Sequence, residues 1–373
     1  MNFSFWETDS WFSNIDYVII GSGITGLNTA LRLKEKQPNC KVLVLEKGML
    51  PEGASTKNAG FACFGSLSEI LDDLNTHTSE EVLNLIKRRL NGLQLLRNNL
   101  GDETIDYRCY GGYELFTLQD EDLYNECIQK LPTINELLAP LFGENVFSIV
   151  KNEPGFEKVQ TNLIFNKFEA QIDTGKMMSA LVKKAIARDI RILNGVEVES
   201  YTSNIDGVNV TTNKFEISAK KLVIATNGFA SRLGISEVKP ARAQVLITKP
   251  IKNLEIKGTF HLDKGFYYFR NIGDRILFGG GRNLDFKTEE TDETGLTDLI
   301  QNKLYELLKS CILPHTNFEI EQSWSGIMGV GELKKPIVKK LDTNVYCGVR
   351  LGGMGVAIGS LVGKEIADLA LES

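Results

Sequence analysis

The sequence predicts an α/β fold in which a discontinuous Rossmann-type domain carries an inserted second domain with a mixed, largely antiparallel sheet. A β-branched strand pattern at 16–20 runs into a glycine-rich turn and then an amphipathic helix pattern. Buried-strand patterns recur far along the chain at 221–225 and 345–349, as expected if the first sheet is resumed after long excursions. Strand patterns fill much of the sequence between these pieces, and helical periodicity predicts covering helices at 79–100, 121–138 and 298–308.

The chain length agrees with two domains. At about 150 residues per domain, 373 residues correspond to roughly two. The predicted first domain comprises residues 1–105, 150–235 and 335–373, and the second comprises residues 106–149 and 236–334.

The composition is typical of a folded globular chain. Hydrophobic residues make up 42% of the sequence and charged residues 24%, close to the averages for such proteins. The net charge is −6, and the longest basic run is Lys87-Arg88-Arg89, which we interpret as a solvated helix face. An acidic chain without a basic patch makes nucleic acid an unlikely partner, because phosphate backbones are bound by clustered cations.

Several kinds of site find no support in the sequence. The six cysteines form no CxxC pair, and the three histidines have no metal-ligand spacing, so no metal is expected. No secretory signal pattern begins the sequence, and no run of about 20 apolar residues predicts a transmembrane helix. We therefore expect a cytoplasmic protein with reduced thiols.

The first glycine-rich turn has the spacing of a dinucleotide site. Glycines occupy the first, third and sixth positions of residues 21–26. Gly21 permits a sharp turn, Gly23 lets the main chain approach a pyrophosphate, and Gly26 lets helix and strand pack closely. The helix that follows presents unpaired N–H groups to the anion.

The second strand supplies the context that the glycine pattern needs. Residues 41–45 form a buried-strand pattern that ends in Glu46, which lies 20 residues (46 − 26) after Gly26. An acid at this distance can accept a hydrogen bond from the adenosine ribose, and it would repel a 2′-phosphate.

Three further segments favour FAD over a nicotinamide cofactor, because FAD is long enough to need contacts far along the chain. Residues 53–60 are mostly small and hydrogen-bonding, with one cation. Residues 221–228 form a strand that ends in a small polar turn. Residues 352–355 open a helix whose positive end can meet the charge that develops on reduced flavin.

Taken together, these motifs resemble the D-amino-acid-oxidase-like flavoproteins, especially the glycine and sarcosine oxidase branch. The resemblance spans most of the chain and keeps the order of the motifs. Besides the first turn and Glu46, the matching segments are 53–60, 170–173, 196–198, 224–228, 240–244, 324–326 and 353–355.

The resemblance implies roles for some residues and raises doubt about the substrate. It implies that the Val198 backbone meets the adenine and that residues 350–355 form a wall against the flavin ring. Amino-acid-oxidising relatives place a carboxylate-binding arginine where this chain has Met328, and a thioether cannot pair with a carboxylate. No cysteine stands between Trp324 and Pro336, so non-covalent FAD is expected.

The predicted cofactor-binding residues come from these motifs and their neighbours. They are Gly21, Ser22, Gly23, Ile24, Thr25, Gly26, Glu46, Lys47, Ser55, Thr56, Lys57, Asn58, Ala59, Gly60, Val198, Thr226, Asn227, Gly228, Arg350, Gly352, Gly353, Met354 and Gly355. No catalytic side chain stands out; the candidates are Met328, Arg350, Tyr268 and Arg270.

The predicted substrate half contains the strand pattern 266–270, whose period of two separates Tyr268 and Arg270 from Tyr267 and Phe269. The sequence leaves open which of the two faces lines the pocket. Arg270, Arg282 and Arg350 are candidates for holding an anionic group of the substrate, although surface or structural ion pairs are the commoner role of arginine.

The resulting hypothesis is an enzyme that oxidises the C–H bond next to an amine nitrogen by hydride transfer to flavin N5. The substrate would be a small amine or amino-acid-like molecule, and oxygen or a quinone-like molecule would reoxidise the flavin. Two alternatives remain open at this point: a flavoprotein that acts on modified tRNA, and a flavin-binding sensor without turnover.

Overall fold

A computed structural model describes residues 2–372; residues 1 and 373, the outer ends of the predicted first domain, lie outside the described residues. The α-helices are α1 (Phe5–Glu7), α2 (Ile24–Lys36), α3 (Ala54–Lys57), α4 (Leu67–Leu74), α5 (Ser79–Leu100), α6 (Glu121–Phe142), α7 (Thr174–Ala187), α8 (Phe286–Glu289), α9 (Asp298–Leu307) and α10 (Gly355–Glu372). Short stretches of 3₁₀- or π-helix lie at Thr8–Phe12, Asn227–Leu233, Arg282–Leu284 and Leu308–Ile312.

Two large sheets dominate the fold. The strands are β1 (Ile15–Ile20), β2 (Val42–Glu46), β3 (Phe61–Ala62), β4 (Gly112–Leu115), β5 (Phe147–Lys151), β6 (Asn162–Asn166), β7 (Ala170–Gln171), β8 (Arg191–Asn194), β9 (Val198–Asn204), β10 (Gly207–Thr212), β11 (Glu216–Ile224), β12 (Lys239–Thr248), β13 (Thr259–Leu262), β14 (Tyr267–Ile272), β15 (Arg275–Gly280), β16 (Ile320–Val330), β17 (Ile337–Asp342) and β18 (Val345–Val349).

The first sheet has the order β17-β18-β11-β1-β2-β8, and its strands from β18 to β8 are parallel. Strands β9 and β10 extend it as an antiparallel meander from β11. Its central strands are buried on both faces, which is why they read as continuous apolar runs. Helices α2, α7 and α10 cover one face, where Leu27, Leu181 and Ile366 belong to a single buried cluster. The Rossmann-type prediction is confirmed.

The second sheet has the order β16-β12-β15-β14-β13-β4-β6-β5. All its pairs are antiparallel except β13 with β4, so the mixed, largely antiparallel prediction is also confirmed. Helix α9 packs on one face through Ile300 and Leu304, and α4 and α6 lie over the other.

The boundaries of the predicted domains differ from the strand pairing at one place. The division at residue 150 falls inside β5, and β6 also pairs in the second sheet rather than the first. The apolar residues of 147–166 alternate too weakly for the sequence to show which sheet receives them. Helix α5 follows its predicted bounds, whereas α6 continues past the predicted end at 138 to Phe142.

The basic run in α5 is only partly solvated, which corrects its interpretation as a solvated face. Lys87 is exposed, but Arg89 is buried and donates from Nη1 to the carbonyl of Phe64 at 2.7 Å. Within residues 2–372, no helix is long and apolar enough to cross a membrane.

Candidate active site

A cavity of about 920 Å³ lies between the two sheets and receives residues from both. The predicted cofactor-binding residues that line it are Gly21, Gly23, Ile24, Thr25, Glu46, Lys47, Ser55, Lys57, Asn58, Ala59, Gly60, Val198, Thr226, Asn227, Arg350, Gly352, Gly353, Met354 and Gly355. Tertiary structure thus brings together segments that are separated by as many as 334 residues (355 − 21).

The first turn is shaped by contacts that leave no room for side chains. Gly21 has a φ of 100°, a conformation that favours glycine. A Cβ on Gly26 would lie 1.9 Å from the Gly21 carbonyl oxygen, so α2 can pack against β1 only with glycine there. A Cβ on Gly23 would lie 2.7 Å from Ser55 Oγ, which accepts from the Ile24 N–H at 2.9 Å. At Gly21 and Gly23 the turn therefore presents main chain to the cavity.

Glu46 ends β2 and is held in place by the turn. Its Oε2 accepts from the Ser22 N–H at 2.9 Å and from Ser22 Oγ at 2.7 Å, and its Oε1 accepts from the Gly48 N–H at 3.1 Å. Ser22 itself does not line the cavity; it acts through Glu46. A carboxylate can accept about four hydrogen bonds, so Glu46 retains capacity for a ribose hydroxyl. The neighbouring Lys47 pairs with Glu197 at 2.7 Å.

The turn and Glu46 support the fit of a dinucleotide to this site. Gly21 and Gly23 line the cavity, and the close contacts that a Cβ on either would make keep the main chain of the turn at the cavity wall. Main-chain N–H groups at the start of α2 and a fixed carboxylate at Glu46 are the donors and acceptor that a pyrophosphate and a ribose require.

The segment at 53–60 is a rigid part of the cavity wall. Asn58 donates from Nδ2 to the Ser55 carbonyl at 2.8 Å, and its Oδ1 accepts from the Gly60 N–H at 2.8 Å. Trp324 Nε1 donates to the Lys57 carbonyl at 3.0 Å, which attaches the segment to β16. Thr56 turns inward and donates to the Pro51 carbonyl at 2.5 Å, so it does not reach the cavity.

The segments after β11 and β18 meet at the far end of the cavity. Asn227 has a φ of 46°, and its Oδ1 accepts from the Leu351 N–H at 3.1 Å. Gly352 and Gly353 have φ values of 63° and 76°, and α10 begins at Gly355. Gly228 lies outside the cavity lining; a Cβ there would come within 2.6 Å of the Met328 carbonyl oxygen. Since Gly353 and Gly355 line the cavity, α10 begins at the cavity wall.

The four catalytic candidates have different environments. Met328 and Tyr268 line the cavity. Arg350 also lines it, but its Nε and Nη2 donate to the Lys335 carbonyl at 3.0 and 2.8 Å. Arg270 does not line it: its guanidinium is buried and donates to the carbonyls of Ala59 and Ile172, the latter at 2.9 Å. Burial lowers the pKa of Arg270 to about 10.

The structure also shows which face of β14 meets the cavity, a question that the sequence left open. Phe266 and Tyr268 line the cavity, whereas Tyr267 and Phe269 are buried in the core beneath α9. Arg270 shares the face of Tyr268 but lies beyond the cavity, where it joins the second sheet to the 53–60 segment.

Sequence reasoning missed a buried ion pair at the cavity wall. His261 on β13 lines the cavity, and its Nε2 lies 2.5 Å from Glu169 Oε1. Burial alone would lower the pKa of His261, but the charge and hydrogen bond of Glu169, with smaller effects from Glu69 and Glu114, raise it to about 9. The two partners are 92 residues apart, so no local pattern could reveal the pair.

Comparisons with known proteins agree with this site. The profile of the DAO family, described as FAD dependent oxidoreductase, matches residues 16–369. The chain is 22% identical over 384 residues to γ-glutamylputrescine oxidoreductase of Escherichia coli K12. The alignment covers 95% of this chain and 83% of the relative.

Two solved structures have the same fold. Glycine oxidase from Geobacillus kaustophilus aligns with a TM-score of 0.77 and 20% identity, covering 96% of this chain and 95% of that one. L-Proline dehydrogenase from P. horikoshii aligns with a TM-score of 0.75 and 19% identity, covering 96% and 94%. The profile match spans nearly the whole chain, so this chain belongs to the DAO family of FAD-dependent oxidoreductases, enzymes of the amine and amino-acid oxidase type.

Proposed function

We propose that this enzyme oxidises the carbon next to an amine nitrogen of a small molecule, with the predicted residues that line the cavity binding FAD. The observation that carries the proposal is a single cavity lined both by the dinucleotide turn and by Tyr268 and Met328. The E. coli relative is named for a putrescine derivative, and the two structural neighbours are named for glycine and L-proline, all of which contain amine nitrogen.

The wall beside the 350–355 segment suits a neutral amine. Met328 Sδ lies 3.6 Å from the position that a Cβ on Gly353 would occupy, and Cys63 Sγ lies 3.7 Å from Met354 Sδ. Burial raises the pKa of the Cys63 thiol, which keeps it neutral. Uncharged, sulfur-containing side chains here would contact an amine without stabilising its protonated form. This matters because the proposed reaction needs the free electron pair of the neutral nitrogen.

The chemistry belongs to the cofactor: bound FAD accepts two electrons and the hydrogen from the C–H bond at flavin N5, and water then hydrolyses the imine product. The tasks of the chain are binding, orientation and electrostatics. Because α10 begins at Gly355 on the cavity wall, its first main-chain N–H groups and the positive end of its dipole would favour a reduced, anionic cofactor. This division of labour requires no dedicated acid or base.

Anaerobic titration with a panel of amines tests the proposal. We expect purified protein to be yellow, to release FAD on acid precipitation as a non-covalent cofactor does, and to lose its flavin colour with at least one amine. A flavin-binding sensor would keep its colour with every amine. A tRNA-modifying enzyme would instead retard tRNA in an electrophoretic gel. Either result would overturn the proposal.

The electron acceptor is tested on the reduced protein. The reduced protein is mixed with oxygen or with a soluble quinone, and the rates at which the two oxidants restore the flavin colour are compared. Oxygen as the acceptor would yield hydrogen peroxide.

A further inference from the structure

Arg282 carries a charge in the cavity that no other part of the described chain neutralises. It follows β15 through Gly280 and Gly281, whose φ values of 121° and 80° turn the chain sharply. The side chain is half-buried and lines the cavity. Burial lowers its pKa, and Tyr268 supplies the one opposing effect among the described residues.

Aromatic rings, not carboxylates, hold the Arg282 guanidinium. It lies 4.9 Å from the centroid of the Phe286 ring and 5.9 Å from that of Phe266, and it makes no salt bridge within residues 2–372. Arg242 shows how this chain treats another buried arginine: Nε and Nη2 of Arg242 each donate to the Glu289 carboxylate at 2.8 Å. A half-buried cation without a counter-ion is costly, so the open side of Arg282 is suited to an anionic ligand.

Tyr268 provides a second donor beside Arg282. Its position opposite Gly279 depends on that glycine, since a Cβ there would lie 2.7 Å from the tyrosine ring. The hydroxyl bonds to no residue among those described, and burial raises its pKa to about 12, so it stays protonated and can donate. A planar guanidinium and a phenol hydroxyl at one wall are donors that a carboxylate accepts from together.

The position of these donors is separate from the uncharged wall at Met328 and Met354. Arg282 contacts Phe266 and Phe286, which are not part of that wall. Strand pairing places Tyr268 three strands away from β16, in line with Trp324 and not with Met328. The donors are therefore placed to hold a group away from the Met328 wall.

We infer that Arg282 and Tyr268 bind a carboxylate at the far end of the substrate, so that the substrate is an amine whose nitrogen and carboxylate are separated by several carbons. The inference rests on the proposed function and deepens it. An α-amino acid, in which one carbon carries both groups, would bring its carboxylate to the uncharged wall at Met328 instead.

Calorimetric binding of pentanoate to the FAD-loaded enzyme tests the site without catalysis. We expect pentanoate to bind and Arg282→Met to weaken it at least tenfold, with partial rescue in Arg282→Lys. Arg275→Met is the matched control, because Arg275 lies at the other end of β15, pairs with Glu321 and does not line the cavity. The inference would be overturned if the parent enzyme did not bind pentanoate, or if the Arg282→Met variant bound it as tightly as the parent.

Anaerobic flavin reduction then tests the substrate class. Among glycine, β-alanine, 4-aminobutanoate, 5-aminopentanoate and butylamine, we expect the longer amino carboxylates to have the lowest apparent Kd. Arg282→Met should raise their Kd at least tenfold more than it raises the Kd of butylamine. The double variant Arg282→Met with Met328→Arg should shift the preference towards glycine.

The two proposals fail in different ways. If pentanoate binding depends on Arg282 but no amine bleaches the flavin, the proposed reaction is wrong and the anion site stands. If amines bleach the flavin and glycine is preferred over the longer chains in the parent enzyme, the inference is wrong and the proposed reaction stands.

Discussion

His261 Nε2 lies 2.5 Å from Glu169 Oε1, and the two side chains are 5% and 1% exposed at the wall of the cavity. The ring of Phe61, one residue beyond the 53–60 segment, lies edge-on to the imidazole at 5.3 Å. Glu114 occupies the position opposite His261 on β4 and is itself held by the hydroxyls of Ser66 and Ser68. The pair is thus a charged element built into the second sheet where it meets the cofactor side of the cavity.

This pair should make the stability of the protein depend on pH. The pKa of His261 is raised from 6.5 to about 9 in the folded chain. Its stabilising contribution is fully present below about pH 6.5 and is lost as the pH rises through about 9, on the order of 3 kcal/mol in total. Chemical denaturation from pH 6 to 10 should show this decrease for the parent protein.

The matched variant is His261→Asn, which removes the titrating group. Its free energy of unfolding should be lower than that of the parent at pH 6, and the difference should shrink by pH 10. A difference that stays constant over this range would contradict a protonated His261. Glu169→Gln should likewise flatten the profile.

Gly26→Ala should disrupt both the fold and cofactor binding. Its Cβ would lie 1.9 Å from the Gly21 carbonyl oxygen, so α2 must move away from β1 at a cost of about 1–3 kcal/mol or more. We expect a lower Tm and loss of bound FAD. Gly175→Ala is the control: the nearest atom to its Cβ would be Asp173 Oδ1 at 3.4 Å. Equal FAD content in both variants would refute the role of the turn.

Arg270→Met should reduce stability rather than substrate affinity. It leaves the buried carbonyls of Ala59 and Ile172 without their donor, at a cost of about 2–4 kcal/mol. Thermal unfolding should show a clear decrease in Tm. The variant protein that remains folded should keep its KM, and a large increase in KM with unchanged Tm would instead place Arg270 at the substrate.

Glu46→Gln should weaken FAD binding by about tenfold or more. The amide would turn a donor towards the Ser22 or Gly48 N–H, and the ribose would lose a charged acceptor, worth about 1.5–3 kcal/mol. Titration of the apoprotein with FAD, followed by quenching of flavin fluorescence, measures the effect. Glu35→Gln, a surface change beside Arg32, should leave the affinity unaltered.

Sequence patterns predicted an element reliably where the residues of one continuous segment were enough to define it. The bounds of α5 and β18 follow from periodicity and from apolar runs, and each is as expected. The short strand β13 went unrecognised, because four residues are too few to establish a period and its stability comes from pairing with β14 and β4.

What the sequence by itself determined is the first sheet, its dinucleotide turn and the family, because glycine spacing and buried-strand runs reflect local steric and hydrophobic requirements. Only the tertiary structure decided the charges of the cavity. Four arginines that look alike in sequence have different partners. Arg89 donates to the Phe64 carbonyl, Arg270 bridges two carbonyls, and Arg350 donates to the Lys335 carbonyl. Arg282 contacts the rings of Phe266 and Phe286 and makes no hydrogen bond to residues 2–372. The partner of a buried cation is chosen by long-range packing, which no local pattern records.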